Sequence, residues 1–538
     1  MRWRKHYEIG QFIEDRAGER TDEVVPLLAE HYGRAATLGA ETGLDHGEIE
    51  PVHNKALHFL EAAGDAAAAL YSNPEAYDHY EAVRRIECQH DPATMARVIE
   101  KQGDVAFRMG RVGAAVELWE ECLEYHRRQE DLTRVADLHR KIGAGLWHMG
   151  ERKLAIERYQ KGINLLKDGP PCLELVHLYE EAASLYMHAG DNMLAIYASE
   201  KALRLAEKLQ ETRVASRAHG IFGRVFGRIG DTAKARENLG RSVELARDSD
   251  DGETIRALLT LGHHLEVSEA DYGGASQAYG EALALAQQIG DLPAQVELQS
   301  SIAQVASYRA DWDAVEGAAE ASADLAEREG LVGKLCYPCV LRGVLAWREG
   351  RWDDAERWCR RAHELAEQVG WSEVAFAALY WLGRTLRDRG DHAAAVGELD
   401  RALDVCERAG LIAQSIEAMS ARAITLKISG RGEQAREAAE EAGHLAERLH
   451  YPVGQAAALE ALATTAENVE ECRRQTAEAR ELWEGLGRPL DVAICDLLLG
   501  HILAHAEEPD ADELLEKAAS EFERLGVDHL ARWARALV

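Results

Sequence analysis

Proline is scarce in this chain: only 11 of its 538 residues are proline. Alanine, leucine, glutamate and arginine, which favour helices, are abundant. The sequence also lacks an 18-residue apolar run and does not open with a signal-peptide pattern. We therefore expect an all-α protein of the cytoplasm, and we predict neither secretion nor a membrane span.

Basic runs are almost missing. The only one is "MRWRK" at the start of a chain whose formal net charge is −32. Neutralising nucleic-acid phosphates requires concentrated Lys and Arg. We therefore predict that the chain binds no nucleic acid by itself, and its acidic balance also disfavours anionic membranes.

Motifs for catalysis, cofactors and metals are missing as well. The sequence contains no G-x-x-x-x-G-K-[ST] loop, no HExxH and no second C-x-x-C. Its nine cysteines are irregularly spaced, which resembles no disulfide framework and fits a reducing compartment. We predict no enzymatic activity, no cofactor and no metal site.

What the sequence does contain is a repeat of 40 residues. Turn residues recur at this interval without an insertion: Gly110, Gly150, Gly190, Gly230, Ala270, Ala310, Gly350, Gly390 and Gly430. Small residues also recur seven positions before the turn, but His263 stands there in one unit, which predicts looser packing. Gly suits the end of one helix, and the Asp that often follows can cap the next.

The order of small residues in each unit resembles the tetratricopeptide repeat. In one unit the series is Gly143, Gly150, Ala155 and Gly162. The resemblance covers nearly the whole chain, although these units have 40 residues and the standard repeat has about 34. It implies an all-α fold, an α-solenoid of about twelve helix-turn-helix units whose concave surface binds partners.

We divide the chain into an N-terminal helical segment at residues 1–54 and a solenoid at residues 55–538. The stretch 37–54 is rich in turn residues and is predicted to be a flexible loop. The period is clearest at 92–450. The final "LARWARALV" is predicted to form a capping helix, as the ends of repeat arrays require.

Residues 20–90 carry a second resemblance. The order "LLAEHY" followed by "KALHFLEAAGDAAAALYSNPEA" is similar to the junction where bacterial signal-transduction NTPases (STAND and cyclase-linked proteins) pass into their C-terminal tetratricopeptide sensor regions. Those proteins carry the NTPase upstream of this junction. Two interpretations stay open: a detached sensor half, or a stand-alone relative.

One short stretch, "KLCYPCVLRG", has the spacing of a dithiol redox site at Cys336 and Cys339. In the 40-residue register both cysteines fall in apolar columns, which favours burial. The redox interpretation would need a thioredoxin-like context, and a zinc site would need two more ligands. We therefore favour a structural role. Pro338 is predicted to delay or kink its helix.

Partner-binding candidates fall at groove-facing offsets of the first helix of each unit. They are Arg217, Arg224 and Arg228, flanked by His188 and His264, then Tyr380 and Arg384, and the tryptophans Trp147 and Trp347. A cationic strip in an acidic chain could receive a carboxylate or an acidic peptide. The alternatives are that the arginines pair with neighbouring glutamates and that the tryptophans wedge adjacent units together.

These observations favour a non-enzymatic scaffold or sensor that binds a peptide or protein segment in its concave groove. The second resemblance adds an NTPase or cyclase whose output the chain would regulate. Two alternatives stay open: the ligand-sensing regulatory half of a transcription regulator, and a thiol-redox protein centred on Cys336 and Cys339.

Overall fold

The computed structural model describes residues 2–42, 46–70, 72–86, 91–188, 191–449 and 451–538, and it leaves out the side chains of His46 and His188. Within these ranges the regular structure is entirely helical. The predicted α-solenoid fold is confirmed, since consecutive helices pack against each other in pairs along the chain. The chain divides into two compact units, Met1–Ala182 and Ala183–Val538, and the division falls within one helix.

The first unit contains the following elements. They are α1 (Arg2–Ala17), a 3₁₀ helix (Gly18–Val24), α2 (Val25–Glu41), α3 (His46–Ala69), α4 (Asn73–Arg85), α5 (Pro92–Arg108), α6 (Val112–Arg128), α7 (Leu132–His148), α8 (Arg152–Leu166) and most of α9 (Leu173–His188).

The second unit continues the same alternation. Its elements are α10 (Asn192–Leu209), α11 (Thr212–Arg228), α12 (Thr232–Arg247), α13 (Asp251–Val267), α14 (Tyr272–Ile289), α15 (Leu292–Tyr308), α16 (Trp312–Arg328), a 3₁₀ helix (Val332–Leu335), α17 (Cys336–Arg348), α18 (Trp352–Val369), α19 (Ser372–Arg389), α20 (His392–Ala409), α21 (Ile412–Ile428), α22 (Gly432–Leu449), α23 (Pro452–Thr465), α24 (Val469–Gly485), α25 (Pro489–His505), α26 (Ala511–Arg524) and α27 (Asp528–Ala536).

The predicted turns are confirmed wherever the structure describes them; Gly190 lies outside the described residues. Each turn residue of the 40-residue period adopts a left-handed backbone, including Ala270 at φ 52° and Ala310 at φ 56°. L-residues rarely adopt this conformation, so the repeat geometry imposes it where the sequence has no glycine. The following Asp caps the next helix, as when Asp231 accepts a hydrogen bond from the backbone N–H of Lys234 at 3.2 Å.

Close approach of the two helices explains the glycines that stand seven positions before the turn. A Cβ added at Gly223 of α11 would lie 2.4 Å from Leu239 Cγ of α12. A Cβ at Gly143 would lie 2.7 Å from Tyr159. These distances are shorter than any ordinary carbon contact, so only glycine allows the bulky residue of the second helix to sit against the first.

The prediction that His263 occupies the crossing position is wrong. Gly262 stands there, since its added Cβ would lie 2.4 Å from Tyr279, while His263 is exposed. Helix α13 begins and ends one residue earlier than the 40-residue period from α11 would place it. An extra residue in the loop that follows α13 restores the period. The shift keeps a glycine at the crossing, so the packing there is not loosened.

Pro338 delays its helix as predicted. The unit opens with the 3₁₀ helix Val332–Leu335, and α17 begins only at Cys336. Proline lacks an N–H and tolerates only the first turn of an α-helix. Pro338 stands in the first turn of α17, so the shortened helix accommodates it.

The flexible loop predicted at 37–54 is wrong over most of its length. Helix α2 continues to Glu41 and α3 begins at His46, with Pro51 inside its first turns. Residues 43–45 lie outside the described residues. The segment boundary expected at residue 54 falls inside the continuous helix α3, so no helix end marks it.

The end of the second unit folds back onto its middle. Helix α27 buries Leu530 and Ala534, as expected of a capping helix. Just before it, the carbonyl oxygen of Leu525 accepts a hydrogen bond from Trp312 Nε1 at 2.8 Å, across 213 residues of sequence. His529 of α27 donates to the carbonyl oxygen of Arg348 at 3.1 Å. None of the helices in the described ranges combines the length and apolar character of a membrane span.

We expect the substitution Gly223→Ala to lower the free energy of unfolding by about 1–3 kcal/mol, because the methyl group would overpack the contact with Leu239. Gly240→Ala on α12 is the matched control. A Cβ there meets nothing within 4 Å, so helix propensity should make this change neutral or stabilising. Chemical denaturation of both variants checks the difference, and equal effects would contradict the close-approach explanation.

Candidate binding surface

Five successive first helices of the second unit carry charged or polar side chains that lie within electrostatic range of others in the set. Arg224 of α11, His263 of α13 and Glu373 of α19 lie within electrostatic range of one another. Glu297 of α15 and Tyr337 of α17 join the same set. We call these five residues the inner groove. Side chains from helices far apart in sequence can meet there because the repeats coil around it.

The arginines of α11 supply positive charge to the inner groove. Arg224 and Arg228 are both half-buried. Burial and the neighbouring Arg228 guanidinium lower the pKa of Arg224 to about 10. Arg228 donates a hydrogen bond to the carbonyl oxygen of Met187. Glu373 lies opposite both arginines, so the groove carries opposed charges.

Arg217 matches the alternative in which arginines pair with glutamate. Its Nε donates to Glu253 Oε2 at 3.1 Å, and only 1% of the Glu253 side chain is exposed. Arg213 and Arg256 contact the same carboxylate. Glu253 therefore holds a cationic cluster together, and Arg217 serves that cluster.

Of the two histidine candidates, His264 does not join the inner groove. His264 is buried, and its Nε2 donates to Glu269 Oε1 at 3.0 Å. Burial lowers the pKa of the His264 imidazole, which keeps the ring neutral. The side chain of His188 lies outside the described residues.

Trp347, Tyr380 and Arg384 are brought together farther along the second unit. Trp347 is fully buried, and its Nε1 donates to Asp388 Oδ2 at 2.8 Å. It therefore fits the wedge alternative, and it is not an exposed anchor. Trp147, in the first unit, is half-buried and stacks against Arg152, whose guanidinium carbon lies 5.3 Å from the ring.

A pocket lies where Trp347, Tyr380 and Arg384 meet, and it has about 60 Å³ of space for water-sized molecules. Helices α17, α19, α21, α23, α24, α25 and α27 line it. The charged residues in its wall are Arg384, Arg387, Asp388, Glu417, Glu460, Arg488 and Asp491. Two ion pairs account for four of them: Arg387 with Asp388 at 2.7 Å, and Arg488 with Asp491 at 2.9 Å.

Three acids of the second unit, the buried Glu266 and the half-buried Glu417 and Glu460, are a feature that the sequence interpretation missed. Burial raises the pKa of Glu266 and of Glu460 to about 7, and it also raises the pKa of Glu417. Tyr279 donates to Glu266 at 2.7 Å, and Cys495 donates to Glu460 at 3.2 Å. A single glutamate in a repeat column carries no sign of burial, so only the packing reveals these acids.

A ladder of ion pairs in the first unit was also missed. Lys101 contacts Glu61 at 2.8 Å, Lys141 contacts Glu100 at 2.8 Å, and Arg140 contacts Glu181 at 2.6 Å. The partners stand 40 or 41 residues apart. Opposite charges at the repeat interval were therefore the signal that could have found this ladder.

The cysteine pair is buried in the apolar core, as its register predicts. Cys336 is 0% exposed and Cys339 is 4% exposed. Burial raises the pKa of the Cys336 thiol to about 12 and that of Cys339 to about 11. A redox-active dithiol needs a lowered pKa and solvent access, so this geometry argues against the redox alternative. In the described ranges, no group of three or more His, Cys, Asp or Glu side chains is arranged to hold a metal ion.

Comparison with known proteins agrees with the repeat geometry. Residues 338–408 match the tetratricopeptide repeat family model. The resemblance of this chain to tetratricopeptide repeat proteins is therefore confirmed. No curated protein sequence matches the chain.

Solved structures with a similar fold share little sequence identity with it. A Rap protein in complex with competence and sporulation factor is 14% identical, with a TM-score of 0.46 over 68% of this chain and 99% of that one. Aspartyl phosphate phosphatase F from Bacillus subtilis is 13% identical, with a TM-score of 0.45 over 65% and 94%. A STAND protein with a tetratricopeptide repeat sensor from Pyrococcus horikoshii is 16% identical, with a TM-score of 0.39 over 67% and 53%.

We expect iodoacetamide to modify Cys172 in the native protein at least about tenfold faster than Cys336 or Cys339, because Cys172 is half-buried and the pair is enclosed. Peptide mass spectrometry after timed labelling measures the three rates in one sample. Denaturant should make the rates similar. Fast labelling of Cys336 in the native state would contradict the structural role.

The raised pKa of Glu460 predicts a dependence of stability on pH. Its folded-state pKa of about 7 lies above the ordinary 4.5, so the native state holds a proton that the unfolded state releases. This contribution is fully present below pH 4.5 and is lost as the pH rises to about 7. Relative to Glu460→Gln, the wild-type protein should therefore lose free energy of unfolding over that range. Denaturation at several pH values checks this, with exposed Glu470→Gln as the control that should show no such trend.

Proposed function

We propose that this chain is a non-enzymatic scaffold or sensor that binds a peptide or protein segment in the inner groove of its second unit. One observation carries the proposal: Arg224, His263 and Glu373, from three different helices, lie within electrostatic range of one another. Tetratricopeptide repeats provide a protein-interaction scaffold, and the residues that meet in such an interior select the partner.

The charges of the groove suggest an acidic partner. Arg224 and Arg228 place two guanidinium groups on one helix face, and burial lowers the pKa of each because desolvation disfavours the charged form. A carboxylate arriving from a partner would stabilise those charged forms and would form short, charge-assisted hydrogen bonds. His263 is exposed beside them and offers a further polar contact.

The proposed regulatory output is an NTPase or a cyclase. It rests on the resemblance of residues 20–90 to the sensor junction of bacterial signal-transduction NTPases. In this proposal the chain is bacterial and cytoplasmic, and partner binding changes the packing between repeats. Repeat proteins suit this role because each unit contacts only its neighbours along the stack, so small changes accumulate.

The double charge reversal Arg224→Glu with Arg228→Glu should weaken binding of an acidic peptide by about tenfold or more at low salt. A fluorescein-labelled decapeptide of glutamate and alanine is the probe, and fluorescence anisotropy measures its affinity at two salt concentrations. Wild-type affinity should fall as salt rises, because salt screens the attraction.

The matched control is Arg241→Glu with Arg247→Glu. Both residues are exposed on α12, and the double substitution changes the net charge of the chain by the same amount. This variant should bind the peptide nearly as well as the wild-type protein does. Equal weakening in both variants would mean that only net charge matters, and unchanged binding in the first would refute the role of Arg224 and Arg228.

A further inference from the structure

Arg384 is a buried cation without a hydrogen-bond acceptor. Only 7% of it is exposed, and its Nε is fully enclosed without a partner. No residue in the described part of the chain accepts a hydrogen bond from its guanidinium group. Charged groups in protein interiors are ordinarily paired, because removing a charge from water is costly. The position therefore lacks a partner that its chemistry requires.

Aromatic rings hold this guanidinium in place. Its central carbon lies 4.7 Å from the ring centroid of Trp381, 5.2 Å from that of Trp347 and 5.8 Å from that of Tyr380. Stacking of this kind stabilises a cation. It fixes the orientation of the group, but it provides no acceptor for the N–H donors.

The nearby carboxylates are engaged with other donors. Asp388 accepts from Arg387 and from Trp347, and Asp491 is paired with Arg488. Glu460 accepts from Cys495 at 3.2 Å, and burial raises its pKa to about 7. These acids lie within electrostatic range of Arg384, but none of them forms a hydrogen bond with it.

The pocket described above adjoins this guanidinium and offers a second orphan donor. Trp483 Nε1 is buried and has no acceptor among the residues that the structure describes, and Trp483 lines the pocket together with Arg384. Leu530 and Trp533 of α27 form part of the same wall. The folded-back C-terminal helix therefore completes an enclosed space that contains two unsatisfied N–H donors.

We propose that this pocket binds one carboxylate group, with Arg384 as its counter-ion and Trp483 Nε1 as a further donor. The group is a side-chain or chain-terminal carboxylate of the partner segment, so the inference rests on the proposed function and names the chemistry of one subsite. The space of about 60 Å³ admits a carboxylate with a short stem and excludes a whole residue.

The charge of the wall favours a carboxylate over a phosphate group. After the two ion pairs are formed, one cation, Arg384, is left beside the two acids Glu417 and Glu460. Burial raises the pKa of both acids, which favours their neutral forms, so Arg384 carries the remaining charge. A singly charged anion neutralises that cation, whereas a doubly charged phosphate would leave one negative charge in excess.

The test uses the purified full chain with acetate as the probe and acetamide as its neutral counterpart of similar shape. Tryptophan fluorescence reports the pocket, because Trp347, Trp483 and Trp533 line it. Acetate should change the emission saturably with an affinity on the order of millimolar, which is within the ceiling for so small a ligand. Acetamide should have no saturable effect, and an equal response to the two compounds would overturn the proposal.

Two variants separate binding from folding. Arg384→Met should abolish the saturable acetate response while far-ultraviolet circular dichroism shows an unchanged helical fold. A folded variant that still responds to acetate would refute the role of Arg384. Arg241→Met, on exposed α12, is the control and should keep the full acetate response.

Two further probes distinguish the source of the carboxylate. N-acetylglycine carries a carboxylate like that of a chain terminus, and the α-amide of N-acetylaspartate carries only a side-chain carboxylate. In each probe the carboxylate would enter the pocket while the amide groups stay outside it. The probe that binds with higher affinity shows whether the carboxylate comes from a chain terminus or from a side chain of the partner. If the acidic decapeptide binds through Arg224 and Arg228 but acetate does not bind, the proposed function stands and this inference fails. If acetate binds and the decapeptide does not, the pocket stands and the groove assignment fails.

Discussion

Close contact between the two helices of each repeat is the constraint on which the rest of the structure depends. Gly223 lets Leu239 sit against the backbone of α11, and Gly143 does the same for Tyr159. The left-handed turn that follows fixes the angle at which the chain reverses, even where alanine occupies it at Ala270. Because small residues keep the crossing close and the turns share one backbone conformation, first helices stack on first helices, and their inner columns face a common side.

That stacking turns residues about 40 positions apart into neighbours. These neighbours form different kinds of contact in the two units. In the first unit the inner columns form satisfied ion pairs, such as Lys141 with Glu100. In the second unit they bring together aromatic rings, buried acids and Arg384, which has no acceptor among the described residues. Satisfied networks make a face rigid, whereas an unsatisfied buried donor marks a place where a ligand can supply what the fold does not.

Long-range return of the chain gives the second unit an enclosed interior. Trp312 and Arg348 bind the backbone that leads into α27, and His529 lies against the ring of Trp347 at 5.2 Å. These contacts join residues that are 178 to 213 positions apart. A capping helix thereby does more than cover the last repeat, since it also supplies a wall of the pocket beside Arg384.

The sequence by itself determined the repeat, because turn geometry and helix crossing act locally and demand the same residue types every 40 positions. The turns, the Asp caps, the buried Cys336 and the delayed start caused by Pro338 all follow from that rule. Only the tertiary structure decided which inner residues meet. It paired Arg217 with Glu253, enclosed Trp347, moved the crossing to Gly262 and raised the pKa of Glu460. These outcomes depend on desolvation and on contacts between distant helices, which periodicity within one chain does not encode.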